Sequence, residues 1–88
     1  NTATNRKEGN PIPVGRGPTG VAVSPNEDRV YVTNFSEGSV SVINTATNRK
    51  EGKPIPVGRG PLGVVVSPIE DRVYVANFSS DSVSVIPI

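Results

Sequence analysis

Apolar positions along the chain fall into short runs of strand length, each closed by residues that favour turns. The first run is Gly20-Val21-Ala22-Val23, stopped by Ser24-Pro25. After Asn26-Glu27-Asp28 comes a second run over residues 29–33, and a turn through Asn34-Phe35-Ser36-Glu37-Gly38 leads to a third. That third run, Ser39-Val40-Ser41-Val42-Ile43, alternates with a period of two, which puts Val40 and Val42 on one face and Ser39, Ser41 and Ile43 on the other. Asn44-Thr45-Ala46-Thr47-Asn48 then turns the chain into a fourth segment over residues 49–57. Pro54 and Pro56 alternate along it, so their missing N–H donors point to one side, and the fourth strand is predicted to be an outer edge.

The whole pattern is written twice. Arg29-Val30-Tyr31-Val32-Thr33-Asn34-Phe35-Ser36 returns 43 positions later as Arg72-Val73-Tyr74-Val75-Ala76-Asn77-Phe78-Ser79, and residues 1–43 match residues 44–86 at 36 of 43 positions. The seven differing pairs are Asn10/Lys53, Thr19/Leu62, Ala22/Val65, Asn26/Ile69, Thr33/Ala76, Glu37/Ser80 and Gly38/Asp81. No linker separates the copies, so residues 1–88 are read as one array of two units. A four-stranded meander in roughly 40–45 residues is the sequence pattern of a propeller blade. The expected fold is therefore all-β, a β-propeller with four-stranded antiparallel blades and two blades per chain. Blades stack face to face, so both faces of the inner strands, including Val64-Val65-Val66, are expected to be buried. A two-sheet sandwich is the rival arrangement, and it does not require near-identity at a fixed period.

The segments Val-Ala-Val-Ser-Pro, Arg-Val-Tyr-Val-Thr-Asn, Ser-Val-Ser-Val-Ile-Asn-Thr-Ala-Thr-Asn and Ile-Pro-Val-Gly together resemble the YVTN β-propeller repeat, whose four signature residues stand here as Tyr31-Val32-Thr33-Asn34. The resemblance covers essentially the whole chain. It implies archaeal surface-layer or bacterial secreted relatives, hence an extracellular or cell-surface setting, rings commonly of seven blades, and no catalytic residues in the repeat. Departures lie in turns and at one strand position: Glu27-Asp28 and Glu70-Asp71 replace the family's Asp-Gly, Asn44 stands where Asp is frequent, and Ala76 replaces Thr.

In chain order the sequence opens on a fourth strand, about residues 7–14, and closes at the end of a third near Ile86. The N-terminal strand is expected to complete the last blade of a neighbouring chain, a head-to-tail contact that closes as a ring or runs on as a filament. Two blades alone would expose two flat apolar faces, so an obligate homo-oligomer is expected. Two blades per chain give an even blade number. Four chains and eight blades are preferred to three chains and six, because small Val, Ala and Ser side chains suit thin wedges and a larger ring.

Composition narrows the chemistry. With 88 residues, one Leu, no Met and no Trp, the apolar content is carried mainly by Val and Ile, which suit a pleated sheet. Charges cancel in the first unit, and Lys53 in the second accounts for the net +1, so no basic stripe exists to track nucleic acid. The absence of Cys excludes disulfides and thiolate chemistry and leaves the redox compartment open. No apolar run reaches bilayer length, and the chain opens on Asn1 with no signal segment, which reads as a processed or excised chain.

Four motifs bear on function. Gly15-Arg16-Gly17-Pro18-Thr19-Gly20 and residues 58–63 fit a dinucleotide fingerprint, but a Val strand follows where a helix is needed, so these are read as turn glycines. Ser24-Pro25-Asn26-Glu27 and Ser67-Pro68-Ile69-Glu70 match a capping box with room for one turn only, and are read as stops. Asn34-Phe35-Ser36 and Asn77-Phe78-Ser79 satisfy the glycosylation sequon, although the same Asn can close the turn in a left-handed conformation. Arg16 and Arg59 precede the inner strands, at the end nearest a propeller axis, where a crown of guanidinium groups can bind an anion or carboxylate. The competing reading is that each is solvated or paired with Glu37 or Asp81.

Glu27, Asp28, Glu70 and Asp71 are expected in wet turns beside Arg29 and Arg72, unlike the tuned carboxyl pairs of general acid/base catalysis. With no His, no Cys and no nucleophile elbow, no catalytic, cofactor-binding or metal-binding residues are assigned. The expectation is a self-assembling structural scaffold, not an enzyme. The alternative is a binding module that recognises a small anion, glycan or protein through loops at the central channel.

Overall fold

The computed structural model describes residues 12–26, 28–68 and 72–87. Among them the fold is all-β, with two antiparallel sheets and no α-helix. The first sheet holds β1 (Pro18–Val23), β2 (Arg29–Asn34) and β3 (Ser39–Asn44), with the short β4 (Arg49–Lys50) and β5 (Ile55–Pro56) both paired to β3. The second repeats the order with β6 (Pro61–Val66), β7 (Arg72–Asn77) and β8 (Ser82–Pro87).

Each strand extends slightly past its alternating core. The inner strands begin at Pro18 and Pro61, ahead of the glycines, because a bulge lets both ends pair: Pro18 faces Asn34 and Gly20 faces Thr33, leaving Thr19 as the extra residue. The second sheet has the same irregularity between Pro61 and Gly63. Turn chemistry matches residue type. Asn44 Oδ1 accepts from the Ala46 N–H at 2.8 Å, and Asn48 closes that turn at φ 57. Gly38 takes φ 62 at the end of the β2–β3 turn, and its counterpart Asp81 holds the same left-handed region at φ 51 after a 3-10 turn over Phe78–Ser80.

The fourth strand is an edge, as its prolines require, but it is broken. Arg49 and Lys50 pair with Asn44 and Ile43, and Ile55 and Pro56 with Val40 and Ser39. Between them lies Gly52 at φ 69. The Val57 N–H donates to the Gly38 carbonyl at 2.9 Å, so the neighbouring Pro56 turns its missing donor outward. The expected strand over residues 7–14 lies mostly outside the described residues; Ile12, Pro13 and Val14 are in no strand. Glu27, Glu70 and Asp71 also lie outside them.

The core forms where one face of the first sheet meets the opposite face of the second. Tyr31 and Val40 pack with Val73, Val75 and Ile86, flanked by Val42, Ile55, Val57, Val64 and Val66. The inner strands do not have both faces covered: Val21 and Val65, each near 65% exposed at 66% and 65%, stand on opposite outer sides. Among the described residues each inner strand has the other sheet on one face only, and burial on two faces needs a second neighbour.

Asn34 and Asn77 correct the turn reading. Both end their strands in sheet pairing, Asn77 at φ −98, and both side chains are buried. Asn34 Nδ2 donates to Ser39 and Ser41 at 3.1 and 3.0 Å; Asn77 Nδ2 donates to Ser82 and Ser84 at 3.2 and 2.9 Å. The amide is a clasp between the second and third strands, which explains the serines on one face of β3. With that nitrogen buried and bonded, neither sequon is accessible in the folded chain.

Candidate functional site

Two regions of the seam between the sheets carry chemistry. Along the inner strands, Thr19 Oγ1 donates to the Pro61 carbonyl at 2.9 Å and Thr33 Oγ1 to the Leu62 carbonyl at 3.0 Å, while the two hydroxyls lie 3.1 Å apart. The bulge turns Thr19 toward the second sheet, and β2 brings Thr33 beside it. These bonds tie β6 carbonyls of the second sheet to side chains of the first. A side chain at Gly20 would bring a Cβ inside 3.0 Å of the Leu62 carbonyl oxygen, so only glycine allows β1 and β6 to approach this closely. Neither threonine was assigned from sequence; their difference from Leu62 and Ala76 was the signal available.

At one end of the seam lies an open cleft of about 670 Å³, lined by residues 35–38 of the first unit and by Val57, Gly58, Arg59, Gly60, Ser79 and Ser80 of the second. The loop carrying Arg59 is pinned by backbone bonds from Phe78 and Ser79 to the Gly60 and Arg59 carbonyls, at 2.9 and 3.1 Å, and by the Arg59 N–H donating to Ser80 Oγ at 3.3 Å. Gly60 adopts φ 59, which confirms these glycines as turn formers ahead of a strand. Arg16 occupies the matching loop of the first unit, held by Phe35 and Ser36 in the same way. The two arginines thus sit at equivalent positions at one end of their sheets, and only Arg59 lines this cleft. Among the described residues neither is in an ion pair, so pairing with Glu37 or Asp81 is not found.

The opposite end is polar and internally committed. Ser24 Oγ accepts from the Arg29 N–H at 3.1 Å and donates to Asp28 at 2.9 Å, which makes Ser24-Pro25 a strand stop. The Arg29 guanidinium pairs with Glu51, and with Asp28 at 3.6 Å. A cleft of about 510 Å³ lies here between this turn, Tyr31 and Pro68. Burial raises the Tyr31 phenol above its ordinary value of 10.0, with Arg29 opposing the shift and Asp28 and Glu51 adding to it. No group of three or more acidic residues able to hold a metal ion occurs among the described residues. No helix among them is long and apolar enough to cross a membrane.

No family model matches the chain. A PE-PGRS family protein of Mycobacterium tuberculosis is 64% identical over 33 residues, which are 38% of this chain and 7% of that protein. Among solved structures, hydrazine synthase of Kuenenia stuttgartiensis is similar over 94% of this chain and 23% of its own, with a TM-score of 0.79 and 29% identity. A functionally unknown protein from Desulfotomaculum acetoxidans is similar over 82% of this chain and 26% of its own, with a TM-score of 0.64 and 21% identity. The chain therefore spans about a quarter or less of each of these proteins, and what it shares with the two structures is the β-sheet arrangement.

Proposed function

We propose that the chain is a structural unit, a pair of YVTN-type blades that joins further copies of itself head to tail into a closed β-propeller, with no catalysis of its own. One observation carries this reading: Val40 is 0% exposed and its counterpart Val83 is 61% exposed, although both sit in the same Ser-Val-Ser-Val-Ile strand. The first sheet buries its Val40 face on the second, and the second leaves the same face bare. Conversely, the opposite face of the first sheet is bare along its inner strand, where Val21 and Val23 are exposed although their twins Val64 and Val66 are half-buried; further out on that face Val32, Ser41 and Ile43 are buried. The bare face of one chain therefore has the composition to cover the bare face of the next, in a heterologous contact that propagates until it closes.

The outer edge of β8, unpaired among the described residues, supports the same reading. Its twin β3 accepts β4 and β5, and residues 6–14 repeat residues 49–57 except for Asn10 in place of Lys53. Residues 6–14 of a neighbouring copy are thus the proposed fourth strand of the second sheet. A ring of two-blade chains holds eight blades in four chains, about 37 kDa from copies of 9.2 kDa, or six in three, about 28 kDa. Light scattering on the purified chain through a concentration series tests this: either mass at high concentration supports it, and a folded species that stays at 9.2 kDa at every concentration contradicts it.

A second reading rests on Arg59, which lines the seam cleft with Phe35, Ser79 and Ser80 and has no ion pair among the described residues. In a ring, Arg16 and Arg59 would alternate around one mouth of the channel and attract small anions or carboxylates. Titrating sulfate, phosphate or a tricarboxylate against melting temperature tests it. A rise lost in the Arg16→Gln, Arg59→Gln double variant supports the crown, and no shift at millimolar ligand removes it.

A further inference from the structure

The copies differ most where the seam is. Three of the seven differing pairs, Thr19/Leu62, Ala22/Val65 and Thr33/Ala76, fall on the face that the first sheet buries and the second leaves bare. In each pair the residue on the bare face is the more apolar by loss of a hydroxyl or gain of methyl groups. A face meant for water would be expected to change the other way.

The bare face also has a vacant counterpart of the seam. A groove of about 320 Å³ runs over it, lined by Leu62, Ala76, Phe78 and Val83 among others. The equivalent position on the first sheet is where Pro61 and Leu62 of β6 receive the threonine hydroxyls. Gly63 lies beside this groove. A Cβ there would meet nothing but the Ala76 Cβ at 3.9 Å, and its φ is not in the left-handed region, so no contact or strain within the single chain calls for glycine. At Gly20 the demand comes from the Leu62 carbonyl of the adjoining sheet.

We infer that Gly63 is a docking position, and that the groove receives β1 of a second copy with the Thr19 carbonyl seated over Gly63, in the register the Leu62 carbonyl takes over Gly20. This deepens the self-assembly reading and rests on it. The seam between copies then differs from the seam within a chain: Leu62 and Ala76 replace two hydroxyl-to-carbonyl bonds with apolar contact against Pro18 and Thr19. The occupant is another copy because the register and face needed are those of a seam this sequence already makes with itself.

Light scattering on three chains tests the inference. Gly63→Ala should keep the β spectrum and fall to 9.2 kDa where the wild type is heavier, whereas Val21→Lys, on the opposite bare face, should do the same. Mixed in equal amounts, the two retain one good face each and should form a heterodimer of about 18 kDa from chains of 9.2 kDa. Should Gly63→Ala itself misfold, Ala76→Lys puts a long charged side chain into the same groove and takes its place in the mixture. Wild-type mass in Gly63→Ala, or no heterodimer on mixing, overturns the docking register while leaving self-assembly intact. A wild-type chain that stays at 9.2 kDa at every concentration overturns both.

Discussion

Val40 and Val83 occupy the same position in the same five-residue strand motif, yet one is sealed between two sheets and the other faces solvent. The same contrast runs across both units. Tyr31 and Thr33 are buried where Ala76 is exposed and Tyr74 half-buried, and Val73 is buried where Val30 is half-buried. Near-identical sequence produces near-identical strand pairing, register for register, because pairing depends on neighbours along the chain. Burial depends on what lies across the face, and among the described residues each sheet has the other across one face. The contrast separates what a unit does alone from what it needs from the next.

The largest effect should come from the amide clasps. Asn77 accepts from the Gly58 N–H at 3.1 Å and donates to two serines, whereas the buried Asn34 Oδ1 has no partner among the described residues. Asn77→Ala should cost about 3 kcal/mol and Asn34→Ala nearer 2, roughly the desolvation of the groups each leaves unpaired. Equal losses in urea unfolding would erase this difference between the units. Next, Val40→Ala should cost about 2 kcal/mol in transfer and cavity terms. Val83→Ala should stay within about 0.5 kcal/mol in a dilute single chain. A Val83 cost that grows toward that of Val40 as protein concentration rises would sharpen the comparison, since association would be covering it.

A smaller effect belongs to the threonines. Thr33→Ala gives the first unit the residue of the second and removes bonds to the Leu62 and Gly20 carbonyls, for about 1 kcal/mol. Ala76→Thr, the reverse exchange on an exposed face, should leave the melting of the dilute chain unchanged. Smallest is the pH term of Tyr31. Burial holds its phenol neutral above the ordinary value of 10.0, so the folded chain binds the proton more tightly than the unfolded one. That stabilisation is complete below pH 10 and is lost as pH rises through the folded value. Tyr31→Phe should flatten the alkaline fall in stability, and an unchanged alkaline limb would assign it elsewhere.

Much of this was legible in the chain. Alternation located the three long strands within a residue or two, and the prolines marked the outer edge. The break at Gly52 was not, because a strand pattern continues through it and only the left-handed φ interrupts pairing. The serines of β3 read as a polar face, and their true role as partners of a buried Asn needs the cross-strand register. The bulge that turns Thr19 toward the second sheet is likewise tertiary, since Thr19 meets the Thr33 hydroxyl and the Pro61 carbonyl 42 positions away, while Thr33 reaches the Leu62 carbonyl 29 positions away. Arg16 and Arg59 were found by position, but the cleft that only Arg59 lines depends on which sheet has a neighbour.

Hydroxyl-radical footprinting of Val83 and Val85 against Val40 and Val42, followed through a dilution series, tests directly whether another copy covers the bare face. At high concentration Val83 should be protected to the level of Val40, and dilution to single chains should restore its labelling while Val40 stays protected. Val83 labelled at the single-chain rate at every concentration would contradict assembly through this face.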